Sequence, residues 1–96
     1  MHAVIGRVMI KRGQEAETLA MISEMGAAML HGMAGSQGGY WARVVSGGDL
    51  IQHSFFLFDS EEHARAAEAT FNSLRALPDA PATFSSVDVC EVVGQA

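Results

Sequence analysis

Apolar residues follow two rhythms along the chain. At residues 3–10, "AVIGRVMI", they fill nearly every position of a short β-branched run, the pattern of a strand covered on both faces and hence central in a sheet. From residue 14 to about residue 32 the period lengthens. Leu19, Ile22, Gly26, Met29 and Met33 recur at three and four, predicting a helix with Glu15, Glu17 and Glu24 away from its apolar face. "GMAGSQGG" carries four of the ten glycines and reads as a loop. "YWARVV" and "LIQHSFFLF" then read as two strands joined by a hairpin turn at "SGGD".

At "DSEEHARAAEATFNSLRAL" the helical period returns. Asp59 or Ser60 is the expected N-cap, Glu62 completes a capping box with Asp59, and Ala64, Ala67, Phe71 and Leu74 form the buried edge. Pro78 and Pro81 bracket a loop, and "FSSVDVCEVV" closes the series as a fourth strand, with Val87, Val89 and Val93 facing one way. The order βαββαβ predicts an α+β, ferredoxin-like fold, with a four-stranded antiparallel sheet and both helices on one face. The first and third strands are apolar on both sides. The face opposite the helices therefore needs a cover too, and the sheet of a second copy supplies one: the expectation is a homodimer.

The 96 residues make one domain, 1–96. With 49% hydrophobic and only 18% charged residues, the chain has too much apolar surface to be disordered. A net charge of -5 and six scattered Lys and Arg argue against nucleic acid and against an acidic membrane. No stretch approaches the roughly 20 apolar residues of a spanning helix, and Arg7 interrupts the apolar start, so no signal peptide is read. A soluble, cytoplasmic protein is expected. Cys90, the one cysteine, excludes an intrachain disulfide and fits a reducing compartment.

"VIGRVMIKRGQEAE", "GGYWA", "FLFDSEEHARAAE" and "VDVCEVVG" together resemble the dimeric α+β barrel superfamily, and within it the antibiotic-biosynthesis-monooxygenase-like domains. The resemblance spans the whole chain and lies in the punctuation of the fold. It implies a pocket in each protomer between helices and sheet and, in some members, cofactor-free oxygenation of quinol- or anthrone-like aromatics. Others degrade haem, act on small lactones or aldehydes, or have no known activity. Members often carry tryptophan where this chain has Phe58, and the oxygenase branch has asparagine where Ser54 stands. The haem-degrading branch has a histidine late in the second helix, and residues 74–77 contain none, so haem breakdown is not expected here.

Met21, Met25, Met29 and Met33 stand four apart, a slanting stripe on one broad helical face. Thioethers suit irregular packing against the sheet, and equally a wall that must fit a flat ligand. Copper held by the stripe with His31 is disfavoured, because residue 31 points away from 29 and 33, and no metal site is assigned. Arg7, inside an apolar strand, calls for a carboxylate such as Asp88 or Glu91, or for a ligand anion. His53 and Ser54 are the groups on the third strand able to move a proton, and they face opposite sides. His2 and His63 have no evident partners.

The functional expectation is a cofactor-independent monooxygenase-like enzyme on a small aromatic, with His53 as base and Arg7 stabilising the anion. Met25, Met29, Tyr40, Trp41, Ser54, Phe56 and Phe58 are the expected substrate contacts, and no cofactor is called for. The alternative is a non-catalytic small-molecule-binding or structural homodimer.

Overall fold

The computed structural model describes residues 1–44, 50–74 and 82–96. Strands β1 (His2–Ile10), β2 (Ser36–Arg43), β3 (Ile51–Phe58) and β4 (Ala82–Glu91) form one antiparallel sheet in the order β2-β3-β1-β4. The first helical segment runs as α1 (Glu15–Met21), a π turn (Ile22–Gly26) and α2 (Ala27–Gly32), and α3 (Glu61–Leu74) follows β3. This is the expected ferredoxin-like βαββαβ order, with β1 central as its apolar run requires.

Alternation divides the sheet. Val4, Gly6 and Val8 of β1 stand in register with Phe56, Ser54 and Gln52 of β3, on the helix side. Val4, Leu30, Phe56, Phe58, Ala64, Ala67 and Phe71 form the buried core, with Met33, Leu74, Val87 and Val89 packed against it. The edge of α3 read from the sequence is the one that buries. Val93, expected to share a face with Val87 and Val89, lies beyond β4 and is exposed.

Two local readings are corrected. The glycine run was expected to be loop throughout, yet Ser36–Gly39 already belong to β2. Strand pairing shifts register between Ser36 and Gly39, Gly38 has φ +93, and a Cβ at Gly39 would strike the Phe55 carbonyl oxygen and the Phe56 ring. Glycine there lets the edge strand press onto β3. At the start of α3, of the two expected caps Asp59 and Ser60, it is Ser60 that caps, its Oγ accepting from the His63 N–H at 3.2 Å. The Asp59 carboxylate instead meets His63 Nδ1 at 2.6 Å, the partner that the sequence left unseen. The hairpin turn and the proline-bracketed loop lie outside the described residues.

The Asp59–His63 pair sets a pH window. The carboxylate holds the imidazole above the ordinary histidine range, and the ring holds Asp59 below the ordinary carboxylate range. The histidine's contribution is complete below its unfolded pKa of about 6.5 and is lost as pH rises through the raised folded value. That of Asp59 is present above about 3.9 and is lost as pH falls through its lowered one. An NMR titration of the His63 ring should give a midpoint above 6.5, brought down by Asp59→Asn. An unchanged midpoint in that variant refutes the pairing.

Candidate functional site

Between the first helical segment and the sheet lies a cavity of about 460 Å³, within the ordinary span of small-molecule sites. Its helical wall is Met21, Ile22, Met25, Gly26, Met29 and Leu30, and the facing wall is Trp41, Phe56, Phe71, Leu74 and Phe84. The aromatic wall is continuous. Trp41 meets Phe56 edge-on at 5.1 Å between ring centroids, Phe56 meets Phe71 at 5.1 Å, and Phe71 meets Phe84 at 5.6 Å. Gly6 makes room for the last ring, since a Cβ there would come within 2.8 Å of Phe84 Cε1.

The methionine stripe is thus cavity wall over three of its four members, and Met33 packs into the core. The π turn explains the alignment. In an α-helix each four-residue step overshoots a full turn by about 40°; the wider turn at Ile22–Gly26 advances less per residue, so Met25 and Met29 stay on the wall begun by Met21. Met25 is 64% exposed and marks the mouth.

At one side the cavity continues into a recess of about 80 Å³, bounded by Val8, Thr18, Gln52 and Ser54 together with Met21, Ile22, Trp41 and Phe84 of the main chamber. The polarity of the site is concentrated here. Thr18 Oγ1 donates to the Gln14 carbonyl at 2.9 Å, whereas Ser54 Oγ is buried without a hydrogen-bond partner. On the neighbouring strand Arg43 stands in register with Gln52 and two residues beyond Trp41, on the same face. Its Nε and Nη2 are buried and make no hydrogen bond.

Of the expected contacts, Met25, Met29, Trp41 and Phe56 line the cavity and Ser54 its recess. Phe58 does not: at 0% exposure it sits inside the core beneath α3. Tyr40, Arg7 and His53 occupy the open face of the sheet. Arg7 pairs with His53 across β1 and β3, Tyr40 pairs with Phe55, and all three are exposed. The parity that buries Gly6 and Ser54 turns Arg7 and His53 outward, so neither reaches the cavity as base or anion holder. Arg7, expected to need burial and a counter-ion, makes no ion pair among the described residues, and Asp88 and Glu91 pair with Ile5 and His2 instead. The sequence reading missed Phe71 and Phe84 among the lining residues, and Gln52 of the recess with Arg43 beside it in register. Strand alternation carried forward from Trp41 and back from Ser54 finds the last two.

Among the described residues no cluster of His, Cys, Asp and Glu could hold a metal ion, and no helix is long and apolar enough to cross a membrane. No family model and no curated protein matches the sequence. Solved structures resemble it over its full length, two of them as follows. One is the haem degrader MhuD from Mycobacterium tuberculosis with two haems bound in its active site, at TM-score 0.77 and 20% identity, with 100% of this chain and 99% of that chain covered. The other is an arginine-to-serine variant of MhuD with two manganese protoporphyrin IX molecules per active site, at TM-score 0.71 and 18% identity, with 100% and 98% covered. From end to end, the chain has the ferredoxin-like α+β fold of these haem-holding structures.

Proposed function

We propose that the cavity binds a flat, largely apolar aromatic molecule of the haem class and that the domain is a monooxygenase-like enzyme. One observation carries this reading: a cavity of about 460 Å³ with no charged residue among the described ones that line it, faced by thioethers on one wall and a run of edge-on and tilted aromatic rings on the other. The solved neighbours support a tetrapyrrole over the quinol or anthrone expected from the sequence, because they hold porphyrins in the same fold. A haem brings its own redox centre. The chain's part is to hold the macrocycle and keep water from it, and the donors it offers to iron from the cavity wall are the thioethers of Met21, Met25 and Met29.

A second reading, a smaller quinol or anthrone oxygenated without cofactor, is favoured by a specific feature: among the described residues no histidine, cysteine or tyrosine lines the cavity. Trp41, the single tryptophan, belongs to the wall, so its emission reports occupancy. Titration with haemin should quench it saturably at one or two equivalents, and reductant with oxygen should then bleach the Soret band. Quenching by anthrone but not by haemin transfers the site to the second reading. Binding of haemin without bleaching leaves a non-catalytic binding protein.

We infer that the open face of the sheet pairs with a second copy. Ile5, Phe55 and Leu57 present an apolar patch there, with Phe55 37% exposed, and Met9 lies beyond the Arg7–His53 pair on the same face. Arg7 and His53 then lie within the interface, and any proton chemistry of theirs belongs to that face rather than to the cavity. Light scattering should give twice the chain mass, and Phe55→Glu should reduce it to one chain while helical circular dichroism is retained. A wild-type monomer rules out the pairing.

A further inference from the structure

The recess beside the cavity holds more hydrogen-bonding capacity than the protein uses. Ser54 is 1% exposed, and its Oγ faces the recess with no partner. Gln52, 4% exposed, is its neighbour on the same face of β3. Arg43 lies in register with Gln52 on β2, and two of its guanidinium nitrogens are buried and unbonded. Glu15 is the acid on which the Arg43 charge acts, but this carboxylate is exposed and its Oε1 already accepts from the Gly13 N–H at 3.2 Å. A guanidinium withdrawn from water without a bonded anion is costly, because desolvation is not returned by pairing. Its planar fork matches a carboxylate in particular.

We propose that this recess is a carboxylate subsite: the ligand of the cavity carries an acid group, held by Arg43 with Gln52 and Ser54 beside it, while its apolar body lies against Trp41. The subsite rests on the reading of the cavity as a flat-ligand site and names the group such a ligand must bear. About 80 Å³ admits a carboxylate and excludes a second ring, so the ligand enters with its acid first. Among the described residues none that lines either chamber is charged, and Arg43, beside the recess in register with Gln52, is the nearest charge on this sheet face that would set the preference for acid over neutral analogue.

The test follows Trp41 emission with two pairs of probes: metal-free protoporphyrin IX and its dimethyl ester, and anthracene-9-carboxylate and its methyl ester. The wild-type chain should bind each acid at least tenfold more tightly than its ester. Arg43→Met, which keeps the apolar stem, should remove that preference by weakening the acids alone, and Arg43→Lys should retain part of it. Equal binding of acid and ester by the wild type, or equal weakening of both by Arg43→Met, overturns the subsite. If neither porphyrin binds, the haem-class reading fails, and the anthracene pair decides the subsite alone. Thermal melts of both variants separate lost binding from lost fold.

Discussion

Phe58→Ala should remove about 3–5 kcal/mol of stability, the usual cost of emptying a buried phenylalanine site. A domain of this size has about 5–15 kcal/mol in all, so the variant sits at or near the edge of unfolding. The side chain is 0% exposed at the end of β3, under Ala64 and Ala67 of α3. Two alanines set in a helix and a strand backbone have little freedom to collapse into the void. With a shift of roughly 4–8 °C per kcal/mol for a chain of this length, the melting midpoint should fall by 12 °C or more. Phe55→Ala, three residues away on the open face, is the control and should cost the isolated protomer far less. A Phe58→Ala midpoint within a few degrees of wild type would show that the core is not organised around this ring.

Gly26→Phe should abolish occupancy of the cavity while leaving the fold intact. Gly26 lies in the π turn and lines the chamber, and a Cβ there would stand 3.4 Å from Trp41 Cζ2. A benzyl group on that carbon extends into space that is already empty, between the thioether wall and the indole. Binding of haemin should weaken at least 100-fold, with a melting midpoint equal to or above that of wild type, because a helical glycine costs about 0.5–1 kcal/mol relative to alanine. Gly26→Ala, which adds a methyl in near-ordinary contact with the indole, should keep binding. Undiminished haemin affinity in Gly26→Phe would place the ligand elsewhere on the molecule.

The elements were legible because the hydrophobic period changes abruptly, at Gln14, at the glycine run and at Asp59. Where a face had to be chosen, the sequence was ambiguous. "FFLF" is apolar at every position, so nothing within β3 reveals whether His53 or Ser54 looks toward the helices. The answer depends on register with β1, a contact between residues some 46 positions apart. Arg7 inherits the same ambiguity and was placed by supposing that a two-sided apolar strand buries all its members. The methionine spacing was readable as a stripe that could pack or form a wall, but not how closely its members align, since a regular α-helix would have swung Met21 and Met29 some 80° apart. The wide turn that brings them together leaves no compositional mark. Glycine content misled at Ser36–Gly39, where absence of a side chain serves a close strand crossing rather than a loop.

That wide turn also divides the helical segment by how firmly it is held. Leu30 and Met33 anchor its C-terminal end in the core, whereas Leu19 and Met25 are more than half exposed and the chamber lies beneath the middle. Thr18 is the one fully buried side chain of residues 15–26, so this stretch is expected to open without breaking the contacts among Val4, Phe56 and Phe71. In hydrogen-exchange terms their amides should form a separate, low-energy opening unit, while those of β1 and α3 should wait for global unfolding. A ligand of the proposed chamber would gain access through the first kind of event, at a frequency set by one stretch of helix and independent of the melting temperature of the whole.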